Sequence, residues 1–142
     1  MPNLDLEWLR DSCLAFPAAT EQLQWGDHLL FKVGGKMFAI TSLVPSPVVL
    51  SLKTSAESFA ELTERPNIIP APYLARASWI ALETSEALSR SELAELLRAS
   101  YDLVFLKLPK SAQSKILGDE SVRRRAVKRH PARKKSARRR PR

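Results

Sequence analysis

Twelve of the chain's 23 lysines and arginines lie in its last twenty residues, which hold none of its 15 acids. They are Arg123, Arg124, Arg125, Lys128, Arg129, Arg133, Lys134, Lys135, Arg138, Arg139, Arg140 and Arg142. So dense a run of cations has one obvious chemistry, neutralisation of phosphate backbones with release of condensed counterions. Fully extended, the run spans roughly 65–70 Å at about 3.3–3.6 Å per residue. Between its cations stand only Ala, Ser, Pro, Val and His. Nothing there reads base edges, so the expected binding is electrostatic, indifferent to sequence, and open to DNA or RNA. A membrane surface is not expected, because stable anchoring takes a second, apolar or lipidated signal. A solvated segment with no specific partner is the plain alternative.

The rest of the chain holds eleven cations against all 15 acids, a net of −4. A mildly acidic body and a polycation are two physical objects. In the body, Lys32 and Lys36 flank Gly34-Gly35, and Lys53 follows an apolar run. Lysines beside a hairpin turn can rest on a phosphate backbone, provided the turn puts them on one face. They serve equally to protect sheet edges. The string Val33-Gly34-Gly35-Lys36 lacks the glycine spacing and the Ser/Thr after lysine of a phosphate loop, and reads as a hairpin turn.

Trp25, Tyr73, Trp79 and Tyr101 are candidates for a small pocket or for stacking on exposed bases. Against this stands the ordinary use of aromatics, filling the core between a sheet and its helices. Tyr73 is the best exception, since a loop held by Pro70 and Pro72 presents a side chain at low entropic cost. Asp27 is expected to fix the turn after Trp25-Gly26 with its side chain. Catalysis finds little footing. Asp27 and His28 are adjacent and point to opposite faces of a strand, and His130 lies in the basic run. No G-x-S-x-G or H-E-x-x-H motif occurs, and no Cys/His cluster has ligand spacing. The lone Cys13 excludes an intramolecular disulfide and reads as a buried thiol in a reducing compartment. The expectation is a non-enzyme without cofactor or metal. Acids in MPNLDLEWLR argue against a signal peptide, and no apolar run approaches the ~20 residues of a membrane span. A soluble, cytoplasmic and monomeric protein is expected, with nucleoid association conceivable.

The elements that must position these residues follow from periodicity. Residues 4–15 read as an amphipathic helix through Leu6, Leu9 and Cys13, ended at Phe16-Pro17. Residues 24–33 read as a strand, joined by Gly34-Gly35 to a second over 36–41. A third strand over 48–52 has the character of a central one. Thr54 and Glu57 have capping-box spacing and open a helix to about Glu64. Residues 65–77, with Pro66, Pro70 and Pro72, read as an ordered loop. Trp79 to Leu82 form a fourth strand. Ser89 and Glu92 open a long helix stopped at Pro109. The order α-β-β-β-α-β-α predicts an α+β two-layer sandwich, mainly antiparallel, over residues 1–121. Residues 122–142 cannot bury enough apolar surface to offset their ordering entropy and are expected to be disordered alone.

Several ordered pieces carry a resemblance. They are Phe16-Pro17-Ala18-Ala19-Thr20-Glu21, Trp25-Gly26-Asp27, Phe31-Lys32-Val33-Gly34-Gly35-Lys36-Met37-Phe38, and Ser51-Leu52-Lys53. Ile69-Pro70-Ala71-Pro72-Tyr73-Leu74, Ser78-Trp79, Ser100-Tyr101-Asp102-Leu103-Val104 and Leu108-Pro109 complete the set. In this order and spacing, from about Leu4 to Pro109, the chain resembles the bacterial MmcQ/YjbR family. The resemblance implies a CyaY-like fold and a surface likened to a double-wing DNA-binding motif, with the basic run an addition to the usual domain. Iron binding by relatives of that fold would need carboxylates on the first helix. Asp5, Glu7 and Asp11 are scattered, and serve a solvated helix face better than a hard cation.

The leading expectation is therefore DNA binding, with residues 122–142 supplying affinity and Lys32, Lys36 and Lys53 assisting. The alternative is a module whose body holds a small molecule or protein near Tyr73 and Trp79. A concave apolar pocket under the Pro70–Tyr73 loop favours the second; a positive groove beside the hairpins favours the first.

Overall fold

A computed structural model describes residues 5–118. Helix α1 (Leu6–Leu14) opens at Asp5, whose carboxylate accepts from the Trp8 amide at 3.1 Å. It buries Leu9 and Cys13. Strands β1 (Thr20–Gln24), β2 (His28–Val33), β3 (Lys36–Ser42) and β4 (Leu50–Lys53) follow as a meander. Helix α2 (Ala56–Leu62) leads to β5 (Ile68–Pro70), a 3₁₀ turn (Ala75–Ala77) and β6 (Trp79–Leu82). The long helix α3 (Arg90–Leu106) comes next, and a further helix, α4, covers residues 110–118.

The six strands form one antiparallel sheet in the order β1-β2-β3-β4-β6-β5. The expected order is contained in this one, with two strands and a helix added. Residues 24–33 are not one strand: Trp25, with φ 54°, and Gly26, with φ 77°, reverse the chain into a hairpin between β1 and β2. Strand β5 lies inside the proline-rich segment, which tolerates pairing because β5 is an edge and needs only one ladder. Gly34 and Gly35 both have positive φ and join Val33 to its partner Lys36, as expected of a two-residue hairpin loop. The first residues of the predicted third strand are a bend, and β4 is the central strand it was expected to be.

The α-helices pack on one face of the sheet. Phe31, Phe38, Leu52, Ile80 and Leu97 are buried there with Leu9 and Cys13. Pairing slips by one between Phe31↔Ala39 and Lys32↔Met37, so Phe38 is an extra residue in β3. Its orphaned carbonyl accepts from the Ser100 hydroxyl at 2.6 Å, and the Ser100 hydroxyl oxygen in turn accepts from the Lys53 amide at 3.1 Å. Helix α2 is capped by Ser55, not Thr54: the Ser55 hydroxyl accepts from the Ser58 amide. Thr54 instead donates its hydroxyl to the Ser78 carbonyl at 2.6 Å, tying down the loop before β6. Ser89 caps α3 by accepting from the Glu92 amide, as its spacing predicts. Gln113 on α4 donates to the carbonyls of Leu106 and Leu108, closing the end of α3 that Pro109 leaves open. The predicted boundary at 121/122 lies outside the described residues.

Candidate functional site

The second face of the sheet has no α-helix over it among the described residues. Strand alternation puts Gln22, Leu30, Ile40, Ser51, Ala81 and Ile69 in one row across that face. At the β5–β6 end a small cluster of Ala71, Trp79 and Ala81 is buried, with Met37, Ile40, Val48 and Leu74 packed on it. The segment 71–78 lies on this cluster. The Ala71 amide donates to Trp79, the Thr54 amide to Ser78, and the Lys53 ammonium to Ala77 at 2.9 Å.

Between this anchored segment and the Trp25 turn runs a cleft of about 470 Å³. Its floor and walls are chiefly apolar, from Met37, Ile40 and Val48, and Pro72 and Leu74 close one side. Ser42, Ser51 and His28 add the polar groups. Trp25 and Tyr73 line it from opposite elements. Both are exposed, at 61 % and 103 % of a full side chain. Both also sit at positive φ, 54° and 68°. A non-glycine residue in that region costs of order 1–3 kcal/mol, and neither aromatic ring recovers it by burial. Beside Trp25, the cross-strand neighbours Gln24 and His28 each hold a polar atom, Oε1 and Nδ1, that is shut from solvent and without a hydrogen-bond partner. The turn itself is held by backbone: the Asp27 amide donates to Trp25 and its carbonyl accepts from Leu43. The expected side-chain role of Asp27 gives way to these.

The four aromatics singled out from sequence separate. Trp25 and Tyr73 line the cleft; Trp79 is buried beneath the segment that forms its wall. Tyr101 lies across the sheet, in the helix-side core with Phe16, Phe38 and Phe105, and its hydroxyl donates to the Pro17 carbonyl. It cannot line the cleft, because an α3 residue at that turn of the helix faces the sheet.

The three body lysines do not converge. The register pairs Val33 with Lys36 and Lys32 with Met37, so Lys32 and Lys36 project to opposite faces. Lys32 donates to the Gln22 side chain at 2.6 Å. Lys53 is spent holding Ala77, and its ammonium is pulled below the usual lysine range by burial and then by the nearby charge of Lys107. The tip of the β2–β3 hairpin is also occupied: a Cβ on Gly34 would stand 2.6 Å from Leu108. Asp5 is engaged in capping α1 and pairing with Arg90. Arg123, Arg124, Arg125, Lys128, Arg129, Arg133, Lys134, Lys135, Arg138, Arg139, Arg140, Arg142 and His130 lie outside the described residues, as does Leu4.

Sequence reasoning missed His28, Ser42, Ser51, Met37 and Ile40 as cleft residues. A signal was present. Leu29-Leu30-Phe31 and Phe38-Ala39-Ile40 are apolar at consecutive positions, so both faces of those strands carry apolar groups.

The YjbR family model matches residues 14–103, which span every strand and most of α3. The chain belongs to the YjbR family. Among its relatives, the uncharacterized protein YbdF of Escherichia coli O157:H7 is 28 % identical over 88 residues, 61 % of this chain and 72 % of YbdF. The crystal structure of Deinococcus radiodurans protein DR2400 is similar with a TM-score of 0.72 and 31 % identity, covering 82 % of this chain and 90 % of that one. A crystal structure from Pseudomonas syringae shares the fold at a TM-score of 0.59 and 19 % identity, over 71 % of this chain and 99 % of that one. Among the described residues, no helix is long and apolar enough to cross a membrane.

Proposed function

We propose that this YjbR-family protein is a binding protein and not an enzyme. In this reading the open sheet face takes an apolar or aromatic ligand between Trp25 and Tyr73, and residues 122–142 hold the protein to nucleic acid without reading sequence. The observation that carries it is the cleft: concave, mainly apolar, within the roughly 300–1,000 Å³ range of ligand sites, and bordered by two exposed aromatics on strained backbone. Direct contact of a double-wing surface with DNA receives less support. Lys32 and Lys36 diverge, Lys53 is bonded to the loop, and the body carries more acids than bases.

Two measurements test the two halves. Titration of the full chain with the apolar aromatic dye 8-anilinonaphthalene-1-sulfonate, followed in amide NMR spectra, is expected to move Ile40, Ser42, Ser51 and Tyr73 together and to saturate. Shifts scattered over the helices would refute the cleft. For the basic segment, a chain ending at residue 121 is expected to lose most duplex-DNA affinity, together with a salt slope of about −0.9 per neutralised phosphate. Unchanged affinity and slope would remove the segment as the main contact.

A further inference from the structure

We propose that the ligand of the cleft is a flat heteroaromatic ring supplied by a single nucleic-acid strand, an unpaired base stacked between Trp25 and Tyr73. The inference rests on the binding reading above and names its ligand. Three observations on the cleft and its border point the same way. Trp25 and Tyr73 come from separate elements, one on the β1–β2 turn and one on the proline segment, and line a single space. Exposed aromatic faces reached by a strand's bases are the usual stacking platform for single strands. The apolar floor of Met37 and Ile40 is bordered by Ser42, Ser51 and His28. A purely lipid-like guest would leave such groups unpaired, whereas a base has a flat apolar face and a hydrogen-bonding rim. Finally, Gln24 Oε1 and His28 Nδ1 stand buried and unpartnered on the two residues that bracket the Trp25 turn. Buried polar atoms are normally satisfied, and of these two residues His28 lines the cleft.

Charge chooses a strand over a free ring. The body is acidic by four charges and draws no polyanion by itself, while the run Arg123 to Arg142 carries twelve cations. Phosphates held by that run make base capture in the cleft effectively intramolecular, raising a weak contact to a useful one. A duplex hides its bases in the stack and fills only the cation run.

The test compares the full chain with its full-length Trp25→Ala and Tyr73→Ala variants. Each is titrated with a labelled oligothymidylate of about a dozen nucleotides and with a duplex of equal length. At roughly 0.3 M salt, where the electrostatic contribution has fallen, each variant is expected to bind the single strand roughly 5- to 100-fold more weakly, the size of one lost base stack. Duplex affinity is expected to be unchanged. Quenching of tryptophan fluorescence by the single strand is expected to disappear in Trp25→Ala. Wild-type affinity for the single strand in both variants overturns the proposal. If those variants nevertheless lose the naphthalene dye, the cleft binds a ligand that is not a base, and only this inference fails. If thymidine alone moves the cleft resonances while both variants bind the strand like wild type, the ring comes from a free nucleoside and the strand is overturned.

Discussion

Ser100 shows how one side chain can carry structural weight that its type does not advertise. Its hydroxyl donates to the Phe38 carbonyl left over by the bulge in β3 and accepts from the Lys53 amide. Removing it strands a buried carbonyl and a half-buried amide at once. Ser100→Ala is therefore expected to lower the unfolding free energy by about 1–3 kcal/mol in urea titration. Cys13 is its opposite, a reactive type made inert: burial pushes its thiol up to about 12. At pH 8 a disulfide reagent is expected to label Cys13 only at the rate of unfolding, so labelling within seconds in native buffer would contradict the buried placement. Tyr73 separates presentation from stability. Because its backbone is left-handed, Tyr73→Gly is expected to be about 1 kcal/mol more stable than Tyr73→Ala, although both lose the ring. Equal melting temperatures for the two would argue that position 73 is not strained. Nothing in the sequence marked Tyr73 as left-handed, though Pro70 and Pro72 marked its loop as stiff.

At the scale of elements, the β2–β3 hairpin was legible because Gly34-Gly35 between apolar runs has few other readings. What the turn touches was not legible. Leu108, seventy-odd positions later, closes over Gly34, whereas nothing lies near a Cβ on Gly35. Both alanine substitutions place a side chain at positive φ, which costs about 1–2 kcal/mol. Gly34→Ala is expected to cost more than Gly35→Ala, since it must also displace Leu108; the comparison of urea midpoints decides it. A turn at Trp25-Gly26 was legible, but strand β1 before it was missed, because Thr20-Glu21-Gln22-Leu23-Gln24 carries a single apolar residue and no alternation. Strand β5 was hidden by Pro66 and Pro70, and only its place at the sheet edge makes them tolerable. The helix over 110–118 was passed over because Pro109 reads as a stop, yet Gln113 turns back to cap the helix before it.

For the whole molecule, charge is divided between a body held by ion pairs and a polycation. Arg10 bonds Glu21 and holds its carboxyl below the usual range, as Arg65 does for Glu92, and as the Trp8 amide and then Arg90 do for Asp5. A carboxyl whose folded value is depressed stabilises the fold above its unfolded value, near 4, and that stability is lost as pH falls through the folded value. The urea midpoint is therefore expected to be flat near neutrality and to fall below about pH 4. Glu21→Gln should unfold more readily than wild type at pH 7, with the gap closing near pH 3; a gap independent of pH would deny the pair its role. The sequence by itself determined the division into an acidic body and a basic run, the α+β class, the Gly-Gly hairpin and the cap at Ser89. Each of these depends on composition, period or neighbours a few residues apart. Only the tertiary structure decided that Trp25 and Tyr73 share a cleft, that Tyr101 does not, and that Lys32 and Lys36 face apart. Those outcomes depend on strand register and on which face the helices cover, and a shift of one residue in pairing exchanges the two faces.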